Sequence, residues 1–352
     1  MTHPNFQRAN VTVRDEPRYN EIILDHATQT SSCALSVAPC ASILSVEMST
    51  DGDASSEIGW LLDNDVNIIN MSFGHWYVNE LGSYTSLSAY LDSIVRNNWV
   101  TIVGSAGNRG REDGLVTPPN GYNNITVGNC TNSGIRNPGS SYKEIEEAFQ
   151  INFPNLVAPG TDIVIPNYSG SLSGTSFSAP LVAGAAALLM QAEPDLITYP
   201  ENVMTILMAS TQRISSYATT VGFNDEIGVG MLNIANALEA IDNRRQFGVT
   251  EDHVGNFVST QSVYLRAGQR IRIAFASIVN VTSAANPRLV TNYDLYLYAP
   301  TGSPVLRSQT QYNNEFTDYF VPLTGMYEIK ILQAGEKQTS QIDFGSYTYF
   351  VQ

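Results

Sequence analysis

The spacing of apolar positions changes twice along the chain. Val11-Thr12-Val13-Arg14-Asp15 alternates apolar and polar residues and ends in a carboxylate, which predicts a first strand. Asp25 is placed to cap a helix starting at His26. Residues 41–48, with Ile43, Leu44 and Val46, predict a second strand. In residues 57–64, Ile58, Leu61 and Leu62 share one face, which predicts a helix. Val66-Asn67-Ile68-Ile69-Asn70-Met71 is almost continuously apolar, as expected of a parallel strand buried on both faces. Residues 84–97 then predict an amphipathic helix, residues 99–103 a strand, and Ile125-Thr126-Val127-Gly128 another strand. Strands alternating with helices imply an α/β fold, a doubly wound parallel sheet flanked by helices. Ligands on such sheets bind beyond the carboxyl ends of the strands. Asp15, Ser72 and Asn108 all fall just past such ends.

The first change comes at Leu181-Val182-Ala183-Gly184-Ala185-Ala186-Ala187-Leu188-Leu189-Met190. This run is too apolar for a surface helix and reads as too short to cross a membrane. It predicts a buried helix whose N-terminus lies near Ser176. Residues 200–210 and 234–241 predict two further helices. The second change follows Asn243-Arg244-Arg245, taken as a linker. Beyond it come strand patterns such as Arg270-Ile271-Arg272-Ile273-Ala274-Phe275 and Tyr293-Asp294-Leu295-Tyr296-Leu297-Tyr298. Turn signals such as Pro300-Thr301-Gly302-Ser303 separate them. About seven or eight short strands here predict a smaller C-terminal all-β sandwich. The expected division is residues 1–245 and 246–352.

Composition narrows the partners. The 352 residues suffice for about two domains. The net charge of −15 argues against a nucleic-acid partner, which needs a basic face. No stretch reaches about 18 uninterrupted apolar residues, so no membrane span is expected. The N-terminus opens Met-Thr-His-Pro without the pattern of a signal peptide. The three cysteines, Cys33, Cys40 and Cys130, fit no zinc spacing and read as isolated thiols.

Candidate chemistry centres on Ser171-Leu172-Ser173-Gly174-Thr175-Ser176-Phe177-Ser178-Ala179-Pro180. A serine at a helix N-terminus sits beside unpaired N–H groups and partial positive charge, which can hold a developing oxyanion. Gly174, Thr175 and Ala179 are small enough for a carbonyl to approach. The plain alternative is a Ser/Thr cap on a core helix.

The rest of the chain shifts that balance. The decapeptide resembles the nucleophile motif of subtilisin-like serine proteases. Asp25-His26-Ala27-Thr28 resembles the family's histidine motif, and Val37-Ala38-Pro39-Cys40-Ala41 the segment after it. Asn70-Met71-Ser72-Phe73-Gly74 resembles its substrate strand, and Gly104-Ser105-Ala106-Gly107-Asn108 its oxyanion motif. Asn155-Leu156-Val157-Ala158-Pro159-Gly160 resembles the stretch preceding the serine. The segments keep the family's order across roughly residues 10–243. The C-terminal strands are similar to the jelly-roll domains appended to bacterial peptidases.

The resemblance implies a serine endopeptidase acting through an acyl-enzyme. Ser176 would be the nucleophile, His26 the general base and Asn108 an oxyanion donor. Ser72, Phe73, Gly74, Gly104, Ser105, Ala106 and Gly107 would wall the substrate site. The partner would be an extended polypeptide. No cofactor is required, and structural Ca²⁺ is left open, with Asp294 as a weak candidate ligand. Relatives of this type are usually secreted and made with a prodomain, which favours an extracellular protein although this chain carries neither signal nor prodomain. Arg109 is expected to disfavour basic substrate residues, unless Glu112 and Asp113 cancel it.

The pattern departs from the family at the aspartate motif. Val11, Val13 and Asp15 keep the strand register, with Glu16-Pro17 where Thr-Gly is usual. Asp15 is therefore the expected triad acid. Asp25 is better explained as a cap, and alternation sends Glu16 to the opposite face. Two alternatives to an endopeptidase stand beside it: a catalytically silent fold acting as a binding module, and a serine esterase.

Overall fold

The computed structural model describes residues 4–6, 9–14, 25–47, 54–74, 84–111, 121–142, 153–217, 222–281 and 290–352. The N-terminal layer comprises β1 (Val11–Val13), α1 (Asp25–Val37), β2 (Ile43–Ser45), α2 (Ser55–Asp63), β3 (Ile68–Met71), α3 (Ser86–Asn98), β4 (Thr101–Ser105), β5 (Ile125–Cys130) and β6 (Leu156–Pro159). Helices α4 (Thr175–Ala192), α5 (Pro200–Ala209) and α6 (Ile234–Ala240) follow. β3-β4-β5-β6 form one parallel sheet, and β1 pairs with β2 in a second parallel ladder. The α/β reading holds, with α1 starting one residue earlier than expected.

The period of two along the strands sorts side chains between two cores. Ile69, Met71 and Ile102 face α2 and α3, packing with Ile58, Leu91 and Val95. Val103, Ile125, Val127, Leu156 and Ala158 face α4 and α5. β6 had no strand signal in the sequence: it is short and ends in proline. It forms because Gly128 and Cys130 on β5 supply ladder partners for Val157 and Pro159.

At 18 residues, α4 is long and apolar enough to span a membrane by length and composition, which corrects the reading that it is too short. Instead 67% of it is buried in the protein. It crosses α1 at Gly184, where a Cβ would lie 2.8 Å from both the Ala34 carbonyl oxygen and Val37 Cβ. Only glycine permits that approach.

The stretch read as a linker is not one. A 3-10 turn at Ile241–Asn243 runs directly into β7 (Arg244–Val249). There follow β8 (Phe257–Leu265), β9 (Arg270–Ile278), β10 (Tyr293–Tyr298), β11 (Pro304–Ser308), β12 (Asn314–Phe320), β13 (Gly325–Gln333) and β14 (Asp343–Val351). They make two antiparallel sheets, β11-β10-β13-β8 and β12-β9-β14-β7. A core of Leu265, Ile273, Phe275, Leu295, Tyr327, Ile329 and others lies between the sheets.

The second sheet also packs outward, on the N-terminal layer. Ala274, Ala276, Phe316 and Phe350 join the same core as α4 and α5. Every residue of α5 is buried, the polar Glu201, Asn202 and Thr205 included. Several of the seam's polar groups are paired, although Glu201 Oε2 and Arg272 Nη1 find no hydrogen-bond partner. Thr205 Oγ1 lies 2.9 Å from Thr348 Oγ1, and Ser346 Oγ donates to Asn202 Oδ1. Gln246 Nε2 donates to Glu201 Oε1 at 3.1 Å. Arg272 donates to the Val229 carbonyl, and Asp318 takes Arg213 at 2.9 Å. At the other end, Asn123 exchanges two bonds with the Val279 backbone, and Asn313 donates to the Tyr122 carbonyl at 2.7 Å. Burial holds the carboxyls of Asp92 and Glu201 up at about 7.

Candidate active site

Four segments meet at the carboxyl edge of the parallel sheet. β3 ends at Met71, so Ser72 is the first residue past it. β4 ends at Ser105, and Ala106-Gly107 lead to Asn108. Gly107 has φ 108°, a conformation that glycine adopts without strain. α4 brings Ser176 in its first turn, where the N–H has no helical acceptor. α1 brings His26 in its first turn.

These residues touch through Ser72. Ser176 Oγ donates to the Ser72 carbonyl at 3.1 Å. His26 Nε2 lies 3.1 Å from that same oxygen. Ser72 Oγ donates to the Ser176 carbonyl at 2.8 Å, and Asn70 Nδ2 donates to Ser72 Oγ at 2.9 Å. The His26 ring meets Phe177 edge-on, 5.9 Å between centroids. His26 and Asn108 are exposed, and Ser176 is half-buried.

Asn108 is held by one side of its amide. Its Oδ1 accepts from Thr175 N at 2.8 Å and from Thr175 Oγ1 at 3.0 Å. The Thr175 hydroxyl in turn accepts from Gly107 N at 3.1 Å. Two donors on Oδ1 fix which end of the amide is the oxygen and leave the NH₂ group turned away from Thr175. Thr175 is fully buried, so this is a rigid clamp. The sequence showed Thr175 only as a small neighbour of the serine. Its position beside Ser176 was visible, but its partner 67 residues away was not.

Ser72, Gly104, Ser105, Ala106 and Gly107 are buried, with Phe73 and Gly74 half-buried after β3. Arg109 is exposed, and its N–H donates to Ser141 Oγ at 3.0 Å. Asp15, the expected triad acid, lies outside the described residues, as do Glu16, Glu112 and Asp113.

All three cysteines are free: Cys33 and Cys130 are buried, whereas Cys40 is exposed. Burial pushes the Cys33 thiol up to about 11, which suppresses the thiolate that a cysteine nucleophile needs. Among the described residues no group of three or more His, Cys, Asp or Glu is arranged to hold a metal ion. Asp294, the sequence candidate for Ca²⁺, is buried and accepts from Gln309 Nε2 at 2.8 Å.

The chain has relatives among known proteins. The thermostable alkaline protease of Halalkalibacterium halodurans is 32% identical over 228 residues, 60% of this chain and 55% of that protein. Subtilisin E of Bacillus subtilis is 29% identical over 228 residues, 60% of this chain and 53% of its own. The chain thus spans about half the length of the curated relatives it matches. Among solved structures, the prenylagaramide maturation protease PagA superposes with a TM-score of 0.56 at 26% identity, covering 68% of this chain and 88% of that one. The patellamide maturation protease PatA shares the fold with a TM-score of 0.56 at 24% identity, covering 68% and 92%. The sequence profile of the subtilase family matches residues 22–230, a span that contains His26, Ser72, Asn108 and Ser176, and on this match the chain belongs to the subtilase family.

Proposed function

We propose that the protein is a serine endopeptidase that cleaves polypeptides through an acyl-enzyme. Ser176 Oγ attacks the scissile carbonyl. His26 takes its proton and later delivers it to the leaving amine. The Asn108 NH₂ and the Ser176 N–H hold the oxyanion. Asp15 orients the imidazole and stabilises its protonated form. Ser72-Phe73-Gly74 and Gly104-Ser105-Ala106-Gly107 line the slot in which an extended substrate adds a strand. The chemistry needs no cofactor.

The observation that supports this reading is the convergence of His26 Nε2 and Ser176 Oγ on one oxygen, each at 3.1 Å. The clamped Asn108 amide beside them supplies a donor of fixed orientation. The deciding experiment is labelling with a fluorophosphonate serine probe. Wild type should label at one site, and Ser176→Ala and His26→Ala should not. Wild type that stays unlabelled would end the endopeptidase reading.

One observation favours a second reading, a silent fold that binds peptides without cutting them. The Ser176 hydroxyl spends its proton on the Ser72 carbonyl, not on His26. A peptide that binds with equal affinity to wild type and Ser176→Ala, and is recovered intact from both, would establish it.

A further inference from the structure

Pro180 lies inside α4, four residues after Ser176. In an uninterrupted helix the N–H of residue 180 would donate to the Ser176 carbonyl. Proline has no N–H, so that carbonyl loses its helical donor. An orphaned carbonyl in the turn that carries Ser176 leaves that turn free to tilt.

Ser72 fills the gap from another element. Its hydroxyl donates to the Ser176 carbonyl at 2.8 Å. Asn70 Nδ2 donates to the Ser72 hydroxyl at 2.9 Å. With that donor engaging a lone pair, the hydroxyl proton is committed to Ser176. Ser72 is 7% exposed, so water cannot readily replace it.

We propose that Ser72 is a positioning residue, whose hydroxyl, aimed by Asn70, replaces the hydrogen bond that Pro180 removes and fixes the peptide unit bearing Ser176. This rests on the reading of Ser176 as nucleophile. The Oγ and the N–H of Ser176 belong to the turn so held. Tilting it misplaces attacking atom and oxyanion donor together, and small misplacements are costly to rate. The hydroxyl is dispensable for binding, because the Ser72 carbonyl is backbone and survives substitution.

A double-mutant cycle tests this. Ser72→Ala should slow fluorophosphonate labelling and lower kcat by about tenfold, the rate equivalent of one hydrogen bond, with KM little changed. Pro180→Ala returns an N–H to the Ser176 carbonyl. In that background Ser72→Ala should cost less than about twofold, because the helix now supplies the missing donor. Asn70→Ala should fall between wild type and Ser72→Ala. The proposal is overturned if Ser72→Ala labels at the wild-type rate, or if its loss is the same with and without Pro180. Failure of the nucleophile reading has a different signature: wild type itself does not label. The cycle is then read in urea midpoints, where coupling between Ser72→Ala and Pro180→Ala supports the carbonyl link and additive losses overturn it.

Discussion

The carboxyl edge of the parallel sheet and the seam beneath the sandwich are built by opposite rules. At the edge, four segments contribute one or two side chains each, and His26 and Asn108 remain exposed. Their order comes from directional bonds to a few oxygens: the Ser72 carbonyl, the Ser176 carbonyl and Asn108 Oδ1. At the seam, α5 is buried on every side and its core continues into Ala274, Ala276, Phe316 and Phe350. The extensive apolar packing thus lies at the seam, away from the candidate site. The edge can therefore carry exposed polar side chains such as His26 and Asn108, which the packing does not enclose.

The comparison breaks most sharply if the sandwich is removed. A chain ending at residue 243 would expose the apolar faces of α5 and take away the Ser346 and Thr348 partners of Asn202 and Thr205. It should fail to accumulate as folded protein, read by circular dichroism and protease sensitivity. A folded, cooperative fragment would mean that the seam is an accessory contact. Substitutions at the edge should do the reverse. Ser176→Ala should remove activity, by about 10⁶ in kcat if the loss follows subtilisin, a relative of this chain. Its thermal midpoint should stay near wild type.

Asp15→Asn comes next, with an expected loss of about 10⁴, the value known for the same change in another serine-protease triad. Asp25→Asn should leave kcat nearly intact and cost about 1 kcal/mol or less of stability. Full activity in Asp15→Asn together with an inactive Asp25→Asn would move the acid to Asp25. Asn108→Ala should lower kcat by about 10²–10³, the range known for one oxyanion donor in subtilisin itself, with KM little changed.

The smallest effect sharpens the seam side. Glu201 is raised to about 7 by burial, above the ordinary carboxyl range of the unfolded chain. The folded protein thus holds a proton there that the unfolded chain releases. That contribution to stability is fully present below about pH 4 and is lost as the pH rises through about 7. Asp92, also raised to about 7, acts in the same direction. Urea midpoints across pH 4 to 8 should fall, and Glu201→Gln should flatten the slope. An unchanged slope in that variant would assign the dependence elsewhere.

Much of the edge was legible because it is written in short strings. Asn70-Met71-Ser72, Gly107-Asn108 and Gly174-Thr175-Ser176 each carry a strand end or helix start beside a candidate site residue. The Thr175 clamp and the Ser72 link were not legible, since each joins residues 67 or 104 positions apart. Pro180 was in plain view, but a missing N–H means little until the orphaned carbonyl finds a partner. The linker reading failed for a related reason. Arg244 and Arg245 are polar in sequence, yet they extend a sheet whose partners, Tyr347 and Thr348, lie near the other end of the chain. α5 offered a clue in Val203, Ile206 and Leu207, but nothing local says that a β-sheet is what covers it.

The crossing of α1 and α4 at Gly184 gives the molecule a pair of calipers. Ala34 lies eight residues along α1 from His26, and Gly184 lies eight residues along α4 from Ser176. The two arms thus close on each other at equal depth, about 12 Å from His26 and Ser176 at 1.5 Å per residue. A methyl group at 184 would press α1 and α4 apart, so the approach of the two helices that carry His26 and Ser176 is gauged by one missing side chain far from both.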